Sequence, residues 1–183
     1  MCTFTEKIEI MQLDLEIDKL THSLEDTTTG DIFLTEVLPL EKADLKVITK
    51  KLGWKFNWKS EFIITEKQVF KLVLQKEPQI IQGLICFEIK SDHIFMHLIE
   101  TAPHNLGKTK KYFGVMGNLV AFCCKVSYQN GFDGELGFDS KTNLIPHYVR
   151  ELGAIHFGGQ RMVILKGAAI KLITMYYPDF FNK

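Results

Sequence analysis

The sequence is short of charge imbalance, of cysteine, of long apolar runs and of any repeated or low-complexity tract, and each shortage excludes a class of protein. Lysine plus arginine number 22 and aspartate plus glutamate number 22, so no global field draws the chain to nucleic acid or anionic lipid. No segment approaches the roughly 20 apolar residues that a membrane-spanning helix needs. The four cysteines, Cys2, Cys86, Cys123 and Cys124, lack zinc-type spacing, and the adjacent pair lies in a helix-like stretch where the two thiols cannot easily bridge each other. That usage fits a reducing compartment. Met1 to Leu13 interleaves Glu6 and Glu9 with its apolar residues and lacks the apolar centre of a signal peptide, so a cytoplasmic protein is expected. None of the six histidines pairs with another on one face of an expected helix, and no metal is expected.

What is present reads as one domain over residues 1–183. Hydrophobic residues make up 46% and charged residues 24%, enough for a substantial core without staples. Asp31 to Leu38 reads as a strand. After Pro39 a helix fits Leu45, Ile48 and Leu52, with Gly53 as its stop. Trp54, Phe56 and Trp58 then alternate with polar residues as an extended stretch, either core packing or one wall of a substrate pocket.

From Val69 the pattern becomes an antiparallel meander: Val69 to Leu74, Ile80 to Ile89, and His93 to Thr101 after a Lys90-Ser91-Asp92 turn. The middle strand carries Ile81, Ile85, Phe87 and Ile89 on one face and Leu84 with Cys86 on the other, so both faces are expected to be covered. A loop from Ala102 to Met116 leads into a helix over Asn118 to Tyr128, with Leu119, Val120, Cys123 and Val126 as its stripe. Glu135 to Phe138 is a short strand and Leu144 to Leu152 a helix closed by Gly153. Ala154 to Phe157 and Arg161 to Leu165 form a hairpin over Gly158-Gly159, and a final helix carries Ala169, Leu172, Ile173 and Tyr176. The order predicts a mixed α/β (α+β) fold and not an alternating parallel one.

The last third of the meander strand, the loop Lys111-Tyr112-Phe113-Gly114-Val115-Met116-Gly117 and the helix behind it form a strand, a glycine loop and a helix N-terminus, where unpaired N–H groups and the positive dipole end suit phosphate. Further on, Asn143-Leu144-Ile145-Pro146-His147-Tyr148-Val149-Arg150-Glu151-Leu152-Gly153-Ala154 places a tyrosine, an arginine and Leu-Gly before a strand pair. With these features residues 69 to 165 resemble the GNAT superfamily of acetyl-CoA-dependent N-acetyltransferases, with a divergent glycine motif. Lys111 stands where the family has Gln or Arg, Met116 stands at the last Gly or Ala position, and Tyr148 lies one residue earlier than usual.

The resemblance implies a mostly antiparallel twisted sheet flanked by helices, acetyl-CoA as cosubstrate, and a small-molecule or peptide amine as acceptor. It places the cofactor against Thr101, Ala102, Lys111, Gly114, Val115, Gly117 and Asn118, with backbone N–H groups in Ile99 to Ala102 on the thioester carbonyl. It makes Tyr148 the acid for the leaving sulfur. For the base, Glu100 is taken to share strand parity with Ile94, Met96 and Leu98, on a partly buried face, with His97 and His104 as alternatives. Two rival readings stand beside this one. A GNAT-like domain can serve as a non-catalytic binding or regulatory protein. Ala102-Pro103-His104-Asn105-Leu106-Gly107-Lys108-Thr109 also fits a loose nucleotide P-loop, which requires a helix to start at Lys108-Thr109. The aromatic tail, Tyr176, Tyr177, Phe180 and Phe181, either covers a second copy in a homodimer or packs within its own domain.

Overall fold

The structure is a computed structural model that describes residues 18–21 and 23–182, so the reading of Met1 to Leu13 lies outside the described residues. In chain order the strands are β1 (Leu24–Asp26), β2 (Ile32–Phe33), β3 (Thr35–Pro39), β4 (Lys67–Leu74), β5 (Glu77–Ile89), β6 (Ile94–Thr101), β7 (Tyr112–Phe113), β8 (Leu136–Asp139), β9 (Ile155–Gly158) and β10 (Arg161–Ile164). The helices are α1 (Trp58–Phe62), α2 (Val115–Gln129), α3 (Ile145–Leu152) and α4 (Lys166–Tyr176). Seven strands make one sheet in the order β3-β4-β5-β6-β8-β10-β9, antiparallel except where β6 meets β8, and β2-β1-β7 form a small second sheet.

The sheet separates two hydrophobic clusters. Ile85 and Phe87 point into the larger one under α2, α3 and α4, and Leu84 and Cys86 point into the smaller one with Trp54 and Trp58 of the α1 side. Ile81 joins Leu84 and Cys86, against the sequence expectation. Leu72 pairs with Gly83 and Val73 with Ile81, so Gln82 is an extra residue in β5, and a bulge reverses the parity upstream of it.

Helix α2 is buried almost all round, from Val115 through Cys124, because the sheet covers one side and α4 another. Its head rests on Gly83, where a Cβ would meet Val115 Cγ1 at 2.6 Å and Leu119 Cδ1 at 3.0 Å. The stripe of Ala169, Leu172, Ile173 and Tyr176 seats α4 along α2. Ala168 and Ala169 lie against Gly153 and Gly134, and Tyr176 reaches Gly117, so α4 runs antiparallel to α2 up to its head. The aromatic tail folds over α2, with Tyr177 beneath Lys125 at 4.0 Å and Phe180 edge-on to Tyr128 at 5.7 Å.

The helix expected over Leu45 to Leu52 is two short 3-10 turns, Asp44–Lys46 and Lys50–Leu52. The β-branched run Val47-Ile48-Thr49 between them disfavours continuous helix. The expected extended aromatic stretch also ends early: Trp58 opens α1, whose cap Asn57 accepts from the Ser60 N–H. Asp31 to Leu38 is two strands separated by Leu34. No helix among the described residues is long and apolar enough to cross a membrane.

Candidate active site

The sheet forks at β6. Its parallel ladder with β8 consists of Ile94–Leu136, Phe95–Gly137 and Met96–Phe138, and stops there although β6 continues to Thr101. At the same point Cys86 pairs with Leu98 and Phe87 with Met96, so His97 is a bulge residue. A bulge bends and twists its strand and breaks a ladder, which accounts for β8 leaving β6 here. Among the described residues no strand pairs with the β8-facing edge of His97 to Thr101. The Ala102 N–H donates to the Gln82 carbonyl on the β5 side at 2.9 Å. Alternation then turns the N–H groups of Thr101 and Ile99 into the fork.

The bulge also corrects the expectation for Glu100. With His97 extra, Leu98 and Ala102 lie in the α1-side cluster while Ile94, Met96 and Ile99 lie under α2. Glu100 therefore does not share a face with Ile94 and Met96. Its carboxylate is 1% exposed and accepts from the Lys55 N–H and from the Trp58 indole N–H, both at 2.6 Å. Tyr148 lies on the other face, fully buried, with its ring edge-on to Phe138 at 5.4 Å. Phe138 faces Met96 in the last rung of the ladder. The structure thus sets Tyr148 beside the apex of the fork and does not bring it together with Glu100.

His97 is half-buried on the α1 side, against Phe95 at 5.0 Å, with Nε2 3.1 Å from Glu88 Oε2. Burial lowers its pKa below the ordinary 6.5 more than any other influence; Lys67 adds to this, and Glu88 and Glu61 oppose it. Around it three carboxylates each have a cation: Glu61 with Lys67 at 2.6 Å, Glu88 with Lys90 at 2.5 Å, Asp139 with Arg161 at 2.6 Å. Cys86 donates its thiol to Glu61 at 3.7 Å, and burial with the Glu61 charge pushes it up to about 12. Burial pushes Cys124 up to about 12 and Cys123 well above the ordinary thiol range. None of the three is a thiolate nucleophile. Trp54 lines a groove of about 340 Å³ with Val47, Leu52, Ile80, Ala102 and His104, at the far end of β6. His97 is five residues away, about 16 Å of strand, so that groove and the fork's apex are separate places.

The glycine loop is held from within. After a 3-10 turn at Pro103–Asn105, the buried Asn105 side chain donates to Gln82 Oε1 at 2.9 Å and accepts from the Tyr112 N–H at 3.2 Å. Helix α2 starts at Val115, not at Lys108-Thr109, which removes the P-loop reading. Gly114, at φ 87, caps it. Lys111 is exposed over the Tyr112 ring at 5.0 Å; Thr101, Ala102 and Val115 are buried in the fold's own packing; and Asn118 donates to Thr35 Oγ1 at 2.9 Å.

The space over this loop is taken by residues that the sequence did not point to. The Gly114 N–H donates to Asp18 Oδ1 at 3.3 Å, and Lys110 Nζ pairs with Asp18 Oδ2 at 3.0 Å. A Cβ on Gly114 would strike Thr21 Oγ1 and stand 2.6 Å from the Ser23 carbonyl; one on Gly117 would meet the Tyr176 hydroxyl and Leu20. The donor set therefore fits an anion, and in this conformation the anion is the chain's own Asp18.

No family model and no curated protein matches the sequence. Solved structures do. The spermidine/spermine N-acetyltransferase SpeG from Vibrio cholerae with manganese ions is 16% identical at a TM-score of 0.51, over 75% of this chain and 95% of that one. Its complex with CoA and spermine is 16% identical at 0.51, over 74% and 98%. A chimera of that enzyme with hSSAT is 18% identical at 0.53, over 75% and 98%. The fold is that of the GNAT acetyltransferases. At these identities the likeness establishes the architecture alone.

Proposed function

We propose that this protein is an N-acetyltransferase that takes acetyl from acetyl-CoA and passes it to an amine. The observation that carries the reading is the fork: a bulge at His97, a ladder that ends at Met96–Phe138, and backbone N–H groups turned into the gap. When bound, acetyl-CoA supplies a thioester whose carbonyl carbon is open to a neutral amine. The Ile99 and Thr101 N–H groups polarise a carbonyl held in the fork, a role that needs no side chain. Tyr148 is the acid for the departing sulfur, from its place beside Phe138. His97, neutral at pH 7 and oriented by Glu88, takes the proton of the incoming amine. Glu100, with both oxygens engaged, is a positioning residue for the Trp58 wall.

The solved neighbours are polyamine acetyltransferases, but Glu61, Glu88 and Asp139 around His97 are each paired with a cation and Glu100 is buried, which leaves little exposed negative charge for a polycation. An amine of low charge is the better acceptor. The second reading, a non-catalytic binding protein, is favoured by one observation, the filled glycine loop. Release of free thiol from acetyl-CoA, assayed with single amines, amino acids, peptides and spermine, tests both. The proposal expects release with a low-charge amine, on a rate that falls on the acid side with a midpoint below 6.5 and loses that limb in His97→Asn. No release with any acceptor favours the second reading.

A further inference from the structure

The segment over the glycine loop is built like a ligand. Asp18 presents its carboxylate to the Gly114 N–H and the Lys110 ammonium, the pairing a phosphate would make at a helix head. Leu20 lies on Gly117, and the Thr21 N–H donates to the Tyr176 hydroxyl at 3.1 Å. The two glycines that would let a ligand approach α2 instead make room for this chain.

The segment is also held unequally along its length. Leu24 is fully buried, and β1 pairs with β7 through Glu25–Phe113 and Asp26–Tyr112, so this part belongs to the core. Ahead of it Asp18 and Lys19 are exposed and Leu20 is half-buried. Their polar ties to the loop, among the described residues, are one long hydrogen bond, one partly exposed ion pair and the Lys19 ammonium over the Phe113 ring at 5.7 Å. Lys19 turns back to Glu25 at 2.7 Å within the segment itself.

We propose that Asp18 to Thr21 is an intramolecular stopper of the cofactor site, hinged at Leu24, in which the Asp18 carboxylate holds the place of a cofactor phosphate. The inference rests on the acetyl-CoA reading above and adds its regulation: cofactor binding and seating of Asp18 exclude each other. A pyrophosphate carries more charge than one carboxylate and competes for the same donors, so the stopper yields at a cost in affinity. Anything that draws Asp18 to Thr21 off the loop raises that affinity.

The test is calorimetric titration of CoA into the full-length protein, into Asp18→Asn and into Glu36→Gln. Glu36 is exposed on β3, opposite in parity to Thr35, and its change removes the same charge away from the loop. Hydrogen exchange at the Thr21 amide is followed in parallel. The stopper predicts that CoA binds Asp18→Asn about fivefold more tightly, as expected for losing a helix-head carboxylate and its ion pair. Glu36→Gln should match the unmodified chain, and CoA should remove protection from Thr21. Equal binding by all three with Thr21 still protected overturns the stopper and leaves the acetyl-CoA reading standing. No binding by any of them, with all three folded, overturns that reading and the stopper with it.

Discussion

Glu100 accepts from two donors, the Lys55 N–H and the Trp58 indole, each at 2.6 Å; the indole is buried, while Lys55 is an exposed residue whose backbone N–H turns inward to the carboxylate. Hydrogen bonds to a charged acceptor contribute about 1.5–3 kcal/mol each, and removing the acceptor leaves the donors unsatisfied. Glu100→Ala should therefore destabilise the protein by about 3 kcal/mol in chemical denaturation, with Glu100→Gln retaining one of the two bonds and losing less. A loss within 0.5 kcal/mol of zero would show that the carboxylate is not holding the Trp58 wall. The sequence marked Glu100 through its strand parity with Ile94, Met96 and Leu98, but did not show its partners, because Lys55 and Trp58 lie 45 and 42 residues away. The same holds for Asp18, which meets Gly114 across 96 residues in a stretch with no periodic pattern of its own.

At the scale of elements, α2 is placed by an absence. Gly83 lets the first turn of the helix lie on β5, with Val115 Cγ1 and the Glu100 carbonyl where a Cβ would stand, at 2.6 and 3.0 Å. Valine is stiff and the carbonyl belongs to a paired strand, so neither yields easily. Gly83→Ala should cost about 1–3 kcal/mol, as overpacking does, measured by urea unfolding; an unchanged midpoint would mean that α2 is free to lift. The meander, α2, α3 and the closing hairpin were legible because alternation and the helical stripe persist over many residues. The bulges at Gln82 and His97 were not, since one inserted residue leaves no mark in composition yet reverses every face beyond it. That reversal is why Ile81 and Glu100 were assigned to the wrong sides. The segment after Pro39 was misread for another reason: a helical spacing of apolar residues coincided with a β-branched run that does not sustain a helix.

For the whole molecule, the start of the described chain and the end of α4 meet at the head of α2. Asp18 and Thr21 come from one side and Tyr176 from the other, and burial pushes the Tyr176 hydroxyl up to about 12, so it stays a neutral partner for the Thr21 N–H. The fork lies beneath them, open along one edge of β6. On the proposed reading, the architecture combines a sheet suited to acyl transfer with a cofactor entrance closed by Asp18 to Thr21. The measurement that tests this account most directly is the amide NMR spectrum of the labelled protein titrated with acetyl-CoA. The account predicts that the Ile99, Thr101 and Gly114 resonances shift together and saturate at one concentration. Saturable binding that leaves Ile99 and Thr101 unmoved, or a spectrum unchanged at millimolar acetyl-CoA, would contradict it.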